Sequence, residues 1–214
     1  LDTCSKMVGY HRAIILPDGS LADEPSQRLA ARADRRSTLE LASSLLRLPQ
    51  TQPPGAAFHA FGDSGTYVMR SGDKSSTEQL LIQTRGAGGV TLAGASGLAL
   101  SLSAAPLLAG EEAVQPKVVG LPDVVSSAGP PSDYVGIVSR LERGTHQHRR
   151  EVLSVERRYY VICDRVRSDG DNTWTLELGC TEPATTSADG RRLLTDQFLV
   201  VLAGPTDAAL KPVA

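Results

Sequence analysis

A chain of 214 residues with 41% hydrophobic and 21% charged side chains is long and apolar enough to bury a real core, which excludes disorder throughout. Its 22 basic and 24 acidic residues leave a formal net charge of -2, so the overall balance recruits neither nucleic acid nor an anionic membrane, although a local basic face stays open. No apolar run approaches the ~20 residues of a membrane helix, and 20 Gly with 13 Pro point to many turns and so to β structure.

Leu1 to Leu48 reads as helical. Met7, Tyr10, His11 and Ile14 fall at helical spacings, and Pro17, Gly19 and Pro25 then break the pattern. From Pro25 to Leu48 the apolar positions Leu29, Ala33, Leu39, Ala42, Leu45 and Leu46 predict an amphipathic helix that needs a partner surface. Two helices make a poor core alone, so this segment is expected to pack on the domain C-terminal to it. Residues 49–57, with Pro53 and Pro54, have the composition of a linker.

From Phe58 onward the period changes to two. GTYVMRSG, EQLLIQTRG and GLALSLSA are strand-length runs bounded by Gly or polar turn residues. Ala104 to Ser132 is rich in Pro and Gly and reads as loop with short strands. YVGIVSRLER, NTWTLELGC and QFLVVLAG supply later strands, and Asp169-Gly170 and Asp189-Gly190 supply turns that favour hairpins. His146 to Val166 reads as a long hairpin, with strands Arg150 to Val155 and Tyr159 to Val166 joined across Glu156, Arg157 and Arg158. Both faces of its second strand are fairly apolar, so the pair is expected at the centre of the structure, covered on both sides. Eight or more strands joined mostly by hairpins predict a mainly β fold over 58–214, an antiparallel sandwich preceded by a short helical segment.

Few side chains offer chemistry. His146 and His148, two apart on a strand, share a face and can form half of a metal site, but His11 and His59 are the only other imidazoles and the plainer reading is a solvated edge. Arg149, Arg150, Arg157 and Arg158 can pair bidentately with carboxylate or sulfate, against the plainer reading of a solvated charge run. Trp174, Tyr159 and Tyr160 can stack on sugar rings or anchor the core. Asp63 in GDSG reads as a turn residue, and Ser64 is not a nucleophile elbow, because the phrase introduces a strand and no His partner is evident. GAGGVTLAG is Gly-rich, yet no helix start comes after it to make a phosphate loop. Tyr10 and His11, adjacent on a helix, diverge too far to act as an acid/base pair. Cys4, Cys163 and Cys180 lack metal-ligand spacing. A bridge between Cys163 and Cys180 competes with the reading of each as a small buried hydrophobe.

Three segments in this order resemble the heparinase II/III-like polysaccharide lyases: LPDGSLADEPSQ at Leu16 to Gln27, FGDSGTYVMRSG at Phe61 to Gly72, and HRREVLSVERRYYVICDRV at His148 to Val166. The resemblance implies that 1–48 is similar to the tail of an (α/α) toroid whose earlier helices would precede Leu1, with 58–214 the sandwich behind it. It implies a periplasmic or secreted setting, although the chain's start lacks the ordered regions of a signal peptide. It further implies an acidic, uronate-containing polysaccharide as partner, such as a glycosaminoglycan or alginate, cleaved by β-elimination. That reaction needs a neutralised carboxylate, a base for the adjacent proton and an acid for the leaving oxygen. Where the family carries Gly-His-x-His-Ala-Asp and a later Asp-Pro-Gly, this chain has GGVTLAGASG and LLAGEE. Leu92 and Gly94 then stand at the His positions, Ser96 and Ala109 at the Asp positions. The expectation is a chain without the family's zinc and without a catalytic His, inactive by itself, whose glycan contacts come from His146, His148, Arg149 and Arg150. A non-catalytic glycan-binding or structural sandwich is the alternative.

Overall fold

The structure is a computed structural model. It describes residues 7, 8, 10, 13, 14, 58–70, 78–84, 89–94, 97–103, 107–108, 120–129, 132–141, 147–156, 158–167, 173–180, 183–196, 198–204 and 209–210. The predicted helix over 25–48, the linker at 49–57 and the Asp169-Gly170 turn lie outside these residues.

Fifteen strands are described, in chain order β1 (Phe58–Phe61), β2 (Thr66–Arg70), β3 (Gln79–Gln83), β4 (Gly89–Gly94), β5 (Gly97–Ser103), β6 (Leu107–Leu108), β7 (Asp123–Ser127), β8 (Ser132–Arg140), β9 (Gln147–Val155), β10 (Tyr159–Arg167), β11 (Trp174–Thr175), β12 (Leu178–Cys180), β13 (Thr185–Thr186), β14 (Arg192–Leu194) and β15 (Leu199–Val201). A six-stranded sheet runs β1-β2-β3-β4-β5-β12 and a four-stranded sheet β10-β9-β8-β7, with smaller sheets β11-β6 and β13-β14-β15. Every described pairing is antiparallel. The two larger sheets face each other through one core, in which Tyr67, Met69, Leu80, Ile82 and Val90 of the first meet Val135, Ile137 and Val152 of the second. The mainly β sandwich expected from the period-two runs is therefore the observed fold.

The strands covered on both faces are β2 and β3. Each carries four consecutive buried residues, Thr66 to Met69 and Gln79 to Ile82. Tyr67, Met69, Leu80 and Ile82 point into the sandwich, whereas Val68 and Leu81 pack behind it against Ala13, Ile14, Tyr10 and Phe61. Met7, Val8, Tyr10, Ala13 and Ile14 have helical backbone. Gln79 Nε2 and Arg70 Nη2 donate to the carbonyl of Ala13 at 2.9 and 3.3 Å, so two side chains of the sheet satisfy this main-chain acceptor. This seam ties the start of the chain to the sheet.

The hairpin from β9 to β10 forms where the sequence pattern puts it, but its expected position in the sandwich does not hold. The strand β10 is an edge, and its exposure alternates along its length. The apolar residues on its outer face, Tyr159 and Val161, are 55% and 41% exposed, while Tyr160 and Ile162 pack against the core. Apolar composition on both faces was thus a poor guide to two-sided cover. The run GVTLAG was also not anticipated as a strand, yet β4 joins β3 to β5 and shifts register at Leu92/Ala93 as a bulge would. At Asp189-Gly190 the predicted turn is present: Gly190 has φ of 64° and its amide donates to the Ser187 carbonyl at 2.9 Å, between β13 and β14.

Candidate functional site

The three-residue connection at Glu156 to Arg158 sets β9 against β10 with Val155 opposite Tyr159. That register places Arg150 opposite Asp164, Arg149 opposite Arg165 and Gln147 opposite Arg167. The side-chain period of two then sorts the polar residues onto two faces.

On the inner face, His148, Arg150 and Asp164 come together. Arg150 Nε donates to Asp164 Oδ1 at 2.7 Å and its Nη2 to Oδ2 at 3.2 Å, while Nη1 donates to the Ser103 carbonyl of β5 at 2.7 Å. His148 Nε2 lies 2.7 Å from Asp164 Oδ1, and a carboxylate only accepts, so the proton sits on Nε2. His148 and Arg150 are each 2% exposed. Burial is the largest influence on the Asp164 carboxyl and pushes its pKa up. The hydrogen bonds and charges of His148 and Arg150 together outweigh it and hold the carboxyl below its ordinary range. This constellation bridges the two sheets at one end of the sandwich.

The outer face is different. Arg149 is half exposed and its Nη2 donates to Glu151 Oε1 at 2.8 Å; Arg165 is more exposed and lies 3.9 Å from Glu151 Oε2. Tyr134 on β8 donates its hydroxyl to the same Glu151 at 3.1 Å, lying across Gly136 to reach it. The bond from Arg149, acting against a smaller desolvation effect and joined by Tyr134, holds the Glu151 carboxyl low.

Of the sequence-predicted glycan contacts, His148 and Arg150 share one buried network and Arg149 stands on the opposite, exposed face. His146 lies outside the described residues. The reading of His148 and Arg150 as a solvated edge and charge run is corrected: both are interior, because Asp164 and the Ser103 carbonyl supply the partners that make burial of a charge tolerable. Arg158 is exposed in the turn. What sequence reasoning missed is the pairing of Asp164 with Arg150, and the signal was available, since a three-residue hairpin loop puts the two directly across from each other.

Several other candidates are structural. Ser64 donates from amide and hydroxyl to the Phe61 carbonyl within the turn before β2. Tyr10 packs edge-on against Phe61 with ring centroids 5.2 Å apart, and His59 stacks along the same Phe61 on β1. Cys163 and Cys180 are free thiols on separate sheets, each partly buried, so the bridge between neighbouring strands is not formed. Burial pushes the Cys180 thiol up. At the positions that the resemblance aligns with metal-binding His, Leu92 packs against the core and Gly94 has no side chain, so neither fits a zinc ion. Among the described residues no three His, Cys, Asp or Glu side chains cluster as metal ligands, and no described helix is long and apolar enough to cross a membrane.

Neither protein-family models nor curated proteins match this chain. Among solved structures, the heparan sulfate lyase HepC from Pedobacter heparinus superposes with a TM-score of 0.61 at 15% identity, over 90% of this chain and 37% of that one. The two-sheet sandwich is therefore a fold found within a polysaccharide lyase, and this chain spans little more than a third of that neighbour's length.

Proposed function

We propose that this chain is the sandwich-bearing part of a polysaccharide lyase-related protein, that its partner is an acidic, uronate-containing polysaccharide, and that it contributes framework and anion contacts rather than the proton transfers of β-elimination. The observation that carries this reading is the structural likeness to a heparan sulfate lyase over 90% of the chain. Two features of the chain support the division of labour. Leu92 and Gly94 offer no donor for a metal or a proton. His148, which could move a proton in an open site, is buried with its Nε2 on Asp164, where it orients Asp164 and Arg150 across the sheets. The exposed Arg149 is suited to take a carboxylate or sulfate. The reading includes a periplasmic or secreted setting.

The test is incubation of the chain with heparan sulfate, heparin and alginate, monitoring the ultraviolet absorbance of unsaturated sugar ends and, in parallel, binding. The expected result is binding without sustained turnover. Sustained release of unsaturated ends would overturn the non-catalytic assignment, and absence of binding to every uronate polymer would overturn the partner.

A further inference from the structure

The outer face of the four-stranded sheet gathers Arg149 with three further arginines, Arg140, Arg165 and Arg167, that the proposed function does not use. In the register of β8, β9 and β10, Arg140, Gln147 and Arg167 form one cross-strand row, and Val138, Arg149 and Arg165 the next. Neighbouring strands lie ~4.8 Å apart and alternate residues along a strand ~6.7 Å apart, so the four guanidinium groups belong to one small patch. All four are exposed. Asp123 of β7, exposed opposite Val138, joins the second row, and the acid of the third row is Glu151. It holds Arg149 at 2.8 Å and stands 3.9 Å from Arg165, and no ion pair joins Arg140 or Arg167 to a described residue.

Two like charges directly opposite each other, as Arg149 and Arg165 are, destabilise a sheet. Packing gives no reason for this one, since all four side chains stand in solvent. In a chain whose formal net charge is -2, four arginines against Asp123 and Glu151 leave an excess of about two positive charges among the described residues of the patch, a local field with a preferred partner. The patch lies on the face of the sheet remote from the six-stranded sheet, and hence remote from the seam that holds Tyr10, Ala13 and Ile14. Further along the same face Val161 and Tyr159 are exposed on β10, an apolar strip against which the carbon face of a sugar ring can lie. Too few charges are present for a duplex binder, which typically neutralises ~6–10 phosphates.

We propose that this outer face is a docking surface for an acidic glycan, with Arg140, Arg149, Arg165 and Arg167 taking its sulfate or carboxylate groups. The inference rests on the acidic-polysaccharide reading for the class of occupant, and it assigns that occupant to a surface separate from the buried network of His148, Arg150 and Asp164. A glycan held there leaves the inner end of the sandwich untouched, so the surface acts as a hold on a long chain rather than as a place of bond cleavage.

The full chain and its Arg140→Ala/Arg165→Ala/Arg167→Ala variant are titrated with size-defined heparin oligosaccharides, fully desulfated heparin oligosaccharides and a single-stranded oligonucleotide of matched charge, each at several salt concentrations. The variant is expected to bind heparin oligosaccharides at least about tenfold more weakly, with a shallower salt dependence and an unchanged melting temperature. Loss of wild-type binding on desulfation assigns the contacts to sulfate, and retention assigns them to carboxylate; either supports the surface. Equal affinity of variant and wild type, absence of wild-type binding, or oligonucleotide binding as tight as heparin binding would each overturn it. The two readings fail separately: equal binding of uronate polymers by variant and wild type removes this surface and leaves the polysaccharide partner standing, whereas sustained turnover alongside arginine-dependent binding removes the non-catalytic assignment and leaves this surface standing.

Discussion

Arg150 and Asp164 face each other across β9 and β10 in a two-pronged contact, Nε on Oδ1 at 2.7 Å and Nη2 on Oδ2 at 3.2 Å. The same guanidinium reaches the Ser103 carbonyl on the opposing sheet, so the pair spans the sandwich. A buried pair of this kind adds little over an apolar pair of equal shape, yet removing one member leaves the other charge stranded. Asp164→Ala is therefore expected to cost about 3–5 kcal/mol in denaturant unfolding. Arg150→Met/Asp164→Leu should recover much of that loss. A small effect of Asp164→Ala would mean that Arg150 finds water or another acceptor.

The same carboxyl makes stability depend on pH. Its folded pKa lies below its unfolded value, which is ordinarily ~3.9. The stabilisation is fully present above the unfolded value and is lost as pH falls through that value towards the folded one, because the unfolded chain takes up the proton first. Thermal melting measured from neutral pH down to the acid limb should show a steeper decline for wild type than for Asp164→Asn. Parallel slopes in the two proteins would remove Asp164 from the acid transition.

The hydrophobic periods made β2, β3, β5, β8 and the β9 to β10 hairpin legible, because each alternates or carries a continuous apolar run between turn residues. The site was harder to read for a physical reason. Gln147, His148, Arg149 and Arg150 are polar on both faces of β9, so no hydrophobic contrast says which pair is inside. The choice is made by Asp164 on the next strand and by a main-chain carbonyl 47 residues away. β10 misled in the opposite sense, since its apolar outer face is left exposed at an edge. β4 was hidden by its glycines, which bound a strand here rather than a loop.

Leu80 and Leu81 test whether the six-stranded sheet is covered on both sides. They are adjacent on β3 and point to opposite faces, Leu80 into the sandwich and Leu81 towards Ala13 and Ile14. Both are nearly inaccessible, so Leu80→Ala and Leu81→Ala should each cost about 2–5 kcal/mol by urea unfolding. If Leu81→Ala alone were nearly neutral, the helical residues at the start of the chain would not be holding that face.

Gly136 and Tyr134 form a second local couple. A Cβ built at Gly136 would meet the Tyr134 hydroxyl and come within 2.8 Å of its Cζ, so the ring must swing away and release Glu151. Gly136→Ala is expected to lower the melting temperature through loss of this hydrogen bond. In a Tyr134→Ala background the same substitution should be close to neutral or favourable. A double-mutant cycle by thermal melting gives the answer, and additive losses would show that the crowding lies elsewhere.

Glu156 in the β9 to β10 turn has φ of 49°, the only described non-glycine residue in the left-handed region. That conformation costs an ordinary L-residue ~1–2 kcal/mol, which glycine avoids, while glycine brings an unfolded-state entropy penalty of ~0.4–1 kcal/mol. The native side chain recovers little, since its contact with Arg158 is 3.9 Å long and both groups are well exposed. Strain relief exceeds the entropy term, so Glu156→Gly should raise stability by about 0.5 kcal/mol. Glu156→Asn should fall between the two, and Glu156→Val should lower stability because a β-branched side chain tolerates this region worst. Urea midpoints at constant m-value measure the series. A Gly variant no more stable than wild type, with Val equally tolerated, would mean that the hairpin closes with Glu156 on the ordinary side of φ.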